Sequence, residues 1–67
     1  MILLNGGASD LRAGVTVAVA LAQLGVELDA RGVAVAVDGE VVPRAGWESF
    51  TLAEDARVEV LTAMQGG

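Results

Sequence analysis

With 67 residues, the chain has room for one core, near the size where folding buries only about 60% of the chain's surface. It contains no cysteine and no histidine, which excludes disulfide staples, the usual zinc sites, and cysteine or histidine nucleophiles. Nine carboxylates oppose four basic residues, all arginine, for a net charge of −5; that balance argues against nucleic acid or an anionic membrane surface and suits a partner with a basic patch.

In chain order, "MILLNGG" has neither the basic leader nor the apolar length of a secretory signal, which predicts a cytoplasmic protein whose first residue is Met1. Although the mean hydropathy is +0.59, no apolar run approaches the roughly 18 residues that span a bilayer. "ILLN", residues 2–5, has the length of a strand, and Gly6 and Gly7 end it with a turn. "ASDLRAG", residues 8–14, is expected to fold back as a second strand.

"TVAVALAQLG" predicts a helix from Thr16 as N-cap to Gly25 as stop, with Val17, Leu21 and Leu24 forming the buried stripe. "VAVAV", residues 33–37, alternates as a strand and meets Asp38-Gly39, a tight hairpin turn, with Glu40 to Val42 returning and Pro43 ending the pair. Trp47 and Phe50, the only aromatic residues, are expected to plug one end of the core. "ARVEVLT", residues 56–62, alternates as the last strand, after which residues 63–67 offer no periodicity and two residues of maximal backbone freedom. The expected organisation is therefore a domain over residues 1–62 and a flexible C-terminal tail over residues 63–67.

One helix lying across one face of a sheet gives a two-layer α+β domain. If Ile2, Leu4, Val35, Val37, Val58 and Val60 face the helix, period-2 alternation turns Leu3, Ala34, Ala36 and Leu61 to the open face. That face reads as a protein docking patch, where small alanines admit close approach and the two leucines supply contact area. Arg44 and Arg57 read as surface cations, and Glu54 and Asp55 are turn neighbours without an acid-base arrangement. No catalytic or metal-ligating residue is expected.

"VDGEVVPRAGW" (residues 37–47), "GVTVAVALAQLG" (residues 14–25) and the terminal Gly66-Gly67 together resemble the ThiS-type sulfur carriers of thiamine biosynthesis. The resemblance covers nearly the whole chain, and its most specific internal piece is "VPR" followed three residues on by Trp47. Asp38 stands where that family often has Asn, Glu54-Asp55 where it has Gly-Asp, and Gln65 where a third glycine can occur; these departures bear on partner fit and not on chemistry.

What the resemblance implies is a ubiquitin-like β-grasp fold, a mixed four- to five-stranded sheet packed on one main helix, carrying a flexible Gly-Gly tail. It further implies that the chain is a protein co-substrate and not an enzyme, with no bound cofactor. Its Gly67 carboxylate would be adenylated by an ATP-using, ubiquitin-activating-enzyme-like adenylyltransferase and converted to a thiocarboxylate with sulfur from a desulfurase system. Met64, Gln65 and Gly66 would thread the partner's active site, and thiazole synthase would receive the sulfur. The alternatives are the small subunit of molybdopterin synthase or another thiocarboxylate carrier, a ubiquitin-like protein modifier, and a plain interaction domain. Without lysine the chain cannot be linked to itself.

Overall fold

A computed structural model describes residues 1–63; the expectations placed on Met64, Gln65, Gly66 and Gly67 lie outside the described residues. Strand β1 (Leu3–Leu4) turns through Asn5 and Gly6 into β2 (Gly7–Ala8). Both turn residues have positive φ, 52° and 84°, the left-handed pair whose twist matches that of an antiparallel hairpin.

The second strand is much shorter than the expected run over residues 8–14. Ser9 ends it: its N–H and its hydroxyl both donate to the Ile2 carbonyl, at 3.2 and 2.8 Å, while its Oγ accepts the Leu11 N–H at 3.2 Å. The backbone bond carries the pairing one residue further, and the local Oγ–Leu11 N–H bond then turns the following residues out of the sheet.

Helix α1 (Val17–Gln23) starts as expected, with extended Thr16 as its N-cap and Thr16 Oγ1 accepting the Val19 N–H at 3.4 Å. It ends in a Schellman turn. Gly25, at φ 77°, donates to the Ala22 carbonyl, and the Val26 N–H returns to the Leu21 carbonyl at 2.9 Å. This closure corrects the expected stripe: Val17, Ala20 and Leu21 are buried, but Leu24, the C-cap residue, is 40% exposed. The turn brings Val26 back against the core in its stead.

Strand β3 (Val33–Val37) passes through Asp38 and Gly39, at φ 52° and 87°, into β4 (Glu40–Val41). Pro43 then leads into a single 3-10 turn, Arg44–Gly46, and the last strand is β5 (Arg57–Thr62). Among the described residues the strands form one mixed sheet in the order β2-β1-β5-β3-β4. β1 runs parallel to β5, and the remaining neighbours are antiparallel. The central β5 therefore joins the first hairpin to the second.

All six residues assigned to the inner face, Ile2, Leu4, Val35, Val37, Val58 and Val60, are buried with Val17, Ala20 and Leu21 of the helix. Trp47 also enters the core, and its indole Nε1 donates to the Val42 carbonyl at 2.8 Å. Phe50 does not share that role; it is 38% exposed, and Leu52 is buried instead. The reason lies in the backbone. Gly14 donates to the Leu52 carbonyl and Leu52 to the Val15 carbonyl, both at 2.7 Å, beside a bridge between Thr16 and Thr51. That pairing seats Leu52 inward, while Phe50 uses its carbonyl to accept the Val17 N–H at the start of the helix. The Met1 ammonium bonds to Glu54 and Asp55, and these carboxylates hold its pKa above the usual amino value.

Candidate functional site

The sheet face away from the helix is assembled by register. Leu61 on β5 lies opposite Ala34 on β3, and Ala36 is flanked by Glu59 on β5 and Val41 on β4. Leu3 sits between Ala8 and Arg57. Period-2 alternation sends this whole set outward because its neighbours Leu4, Val35, Val37, Val58 and Val60 are buried.

The four residues expected on this face are thus all there. Leu61 is 69% exposed and Ala34 is exposed, while Leu3 and Ala36 are half-buried. The sequence reading missed Val41, which is 74% exposed. A signal for it existed: a two-residue Asp38-Gly39 turn sets Val41 opposite Ala36, so the two must share a face. Arg57 and Glu59 also stand on this face, in line with Leu61, and give an otherwise apolar surface one cation and one anion. Among the described residues the only ion pairs are those of the Met1 ammonium, so both charges are free to meet a partner.

The face ends where β5 leads into the tail. Thr62 pairs with Val33, and one residue further the Ala63 N–H donates to the Gly32 carbonyl at 2.7 Å. Leu61 therefore places the most exposed leucine of the face two residues before the last residue described. Arg44 reaches the loop that leads to this exit. Its guanidinium lies 4.5 Å over the Trp47 ring and donates to the Leu28 and Ala30 carbonyls, in the loop that leads into Gly32. It is thus engaged with backbone and ring and not merely solvated.

Among the described residues no cluster of carboxylates is arranged to hold a metal ion, and no helix is long and apolar enough to cross a membrane. The face offers contact area and charge beside the point where β5 ends. A model of the ThiS family matches residues 2–67, terminal glycines included.

The chain belongs to the ThiS family.

Solved structures agree with this membership. A crystal structure of the thiamine biosynthesis protein ThiS from Geobacter metallireducens is 31% identical, with a TM-score of 0.73, over 98% of this chain and 97% of that one. A solution NMR structure of a thiamine biosynthesis protein from the same organism is 30% identical, with a TM-score of 0.75, over 98% of this chain and 86% of that one. No curated protein matches the chain. The mixed sheet and helix of this ThiS-family member are the ubiquitin-like β-grasp fold. The family match includes Gly66 and Gly67.

Proposed function

We propose that this chain is a sulfur carrier of thiamine biosynthesis whose reactive group is the Gly67 carboxylate. The observation that carries the reading is the ThiS-family match over residues 2–67, which takes in the terminal Gly66-Gly67. The thiamine biosynthesis proteins with the same fold favour thiazole over molybdopterin supply.

A carboxylate resists nucleophiles because its charge is delocalised, so activation has to come first. The Gly67 carboxylate attacks the α-phosphorus of ATP in an adenylyltransferase, pyrophosphate leaves, and an acyl adenylate forms. A persulfide from a desulfurase system then attacks the acyl carbon with its terminal sulfur and AMP departs. A second thiol cleaves the resulting sulfur–sulfur bond, taking one sulfur into a disulfide and leaving the other on Gly67 as a thiocarboxylate, which thiazole synthase consumes. The carrier works in the cytoplasm as a co-substrate and needs no cofactor of its own.

Partner sites must exclude water, since the acyl adenylate hydrolyses. Gly66 and Gly67, without Cβ atoms, let the backbone enter a narrow opening in conformations other residues avoid. Met64 and Gln65 thread behind them. Ordering each backbone residue takes roughly 1 to 2 kcal/mol, so fixing residues 64–67 takes about 4 to 8 kcal/mol, or some three to six decades of affinity. The tail binds only if the body docks as well. Leu3, Ala34, Ala36 and Leu61, together with Val41, are the docking face that offsets this loss.

Leu61→Asp is expected to weaken binding of the activating enzyme roughly 10- to 100-fold, the worth of one buried leucine, without unfolding a residue that is already 69% exposed. Calorimetry measures it; an unchanged Kd removes the docking face from the account. The function itself is tested by pyrophosphate–ATP exchange. Exchange that requires both the activating enzyme and this chain, together with co-purification of thiazole synthase, supports the reading. Co-purification with the large subunit of molybdopterin synthase instead would overturn the thiamine assignment.

A further inference from the structure

We infer that Arg44 and Gly32 are positioning residues that fix where the reactive tail leaves the domain. The inference rests on the sulfur-carrier reading only in taking residues 64–67 as the reactive segment.

The connection from the helix to β3 contains no regular element between Val26 and Gly32. Within it the Ala30 N–H donates to the Glu27 carbonyl at 3.0 Å, and from outside it Arg44 reaches two of its carbonyls. Its planar guanidinium donates to two carbonyls of the loop, Leu28 and Ala30, while its flat face rests on Trp47 at 4.5 Å. Trp47 in turn is buried and bonded through Nε1 to the Val42 carbonyl. The loop is thereby tied to the buried core by a planar group that donates to two acceptors while stacking on a ring, a geometry an ammonium does not offer.

Two residues beyond Ala30 the loop reaches Gly32, and there the tail begins. The Gly32 carbonyl accepts the Ala63 N–H at 2.7 Å, extending the β3–β5 pairing one residue past Thr62. Gly32 is required twice over. Its φ is +72°, and a Cβ placed on it would lie 2.9 Å from the Ala63 Cβ, closer than real Cβ contacts come. Only a residue without a side chain lets Ala63 close on this carbonyl.

The consequence is positional. With Ala63 held, the last described residue is fixed two positions past Leu61, so the docked body brings the start of the reactive segment to one point. Without the hold, additional residues have to be ordered at each encounter. This assigns Arg44, which the sequence presents as an ordinary surface cation, a part in carrier function.

The test uses the full chain and four variants: Arg44→Ala, Arg44→Lys, Gly32→Ala, and the double variant Gly32→Ala with Ala63→Gly. Hydrogen exchange at the residue 63 amide reports the hold directly. Exchange at Val35 and Val58 reports the core, and adenylation kinetics report KM and kcat. Arg44→Ala and Gly32→Ala are expected to speed exchange at Ala63 at least tenfold, leave Val35 and Val58 protected, and raise the KM for the carrier roughly tenfold per residue freed. Lysine at position 44 should restore little of this. Ala63→Gly in the Gly32→Ala background should recover part of the protection at residue 63 and lower KM in part, because it removes the clashing Cβ while the strain of alanine at φ +72° remains.

Unaltered exchange at Ala63 in both single variants, with the core protected, would overturn the inference. So would faster exchange with an unchanged KM, or a double variant no better than Gly32→Ala. If wild-type protein is not adenylated at all, the carrier reading fails, whereas exchange at Ala63 still decides whether Arg44 and Gly32 hold the exit.

Discussion

Deleting Gly67 is expected to abolish thiocarboxylate formation and to leave the melting temperature unchanged. Removing one residue draws the terminal carboxylate back by up to about 3.3 to 3.6 Å along an extended chain. Activation needs the carboxylate oxygen and the α-phosphorus within about 3 to 3.5 Å and aligned, and misplacement by 1 Å already lowers rates on the order of 100-fold. The body's docking cannot compensate, because the hold at Ala63 fixes where the tail starts. Among the described residues the last member of the buried cluster is Val60, and on the carrier reading Gly67 adds nothing to stability. Intact-mass analysis after incubation with activating enzyme, ATP and a sulfur source should show no sulfur on the truncated chain, and calorimetry should show the wild-type melting temperature. A drop of several degrees on deletion would show that Gly67 contributes to the folded body.

The second large effect belongs to the core. Trp47→Ala should destabilise the protein by about 3 to 5 kcal/mol, the range for emptying a buried aromatic site. A domain of this length has only some 3 to 10 kcal/mol in total, so the variant will sit near the edge of unfolding at room temperature. Trp47 is 2% exposed, and it does more than fill space. Its Nε1 satisfies the buried Val42 carbonyl, and its ring supports Arg44. Trp47→Phe separates these roles: it keeps most of the apolar volume but leaves that carbonyl unpaired, for a loss of about 1 to 3 kcal/mol. Urea denaturation measures both. A Trp47→Ala loss below about 1 kcal/mol would contradict the place given to this residue, since core truncations of this kind cost several times that.

These effects also mark how far the fold can be read from sequence. Alternation in residues 33–37 and 56–62, the Asp38-Gly39 turn, and the Thr16 cap with the Gly25 stop are local signals, and each is found where the pattern puts it, the last strand starting one residue later at Arg57. The inner face of the sheet follows from them, since a period of two leaves no other choice once the helix covers one side. What escaped depends on contacts between residues distant in sequence. Leu52 displaces Phe50 from the core because its backbone pairs with Gly14 and Val15, and no window around residue 50 contains that information. Leu24 lost its place to Val26 because a Schellman turn reverses the chain after the helix. Gly25 announced that the helix would stop, but not which residue would then fall inward.

At the candidate site the same division holds. Leu3, Ala34, Ala36 and Leu61 were legible as one face because parity alone places them. Val41 required the hairpin register, and Gly32 with Arg44 required the meeting of three segments, the loop after the helix, the 3-10 turn and the end of β5. The "VPR" and tryptophan spacing was visible in the sequence as a pattern. Its physical content, an arginine stacked on a buried indole while gripping a distant loop, belongs to the folded chain.

The central claim is that Gly67 carries sulfur, and intact-mass measurement of the wild-type chain tests it most directly. After incubation with the activating enzyme, ATP and a persulfide donor, the mass should rise by the difference between one sulfur and one oxygen, with the change confined to the C-terminal peptide and absent when ATP is withheld. A folded chain that keeps its original mass under these conditions, or that gains sulfur anywhere other than Gly67, would contradict the account.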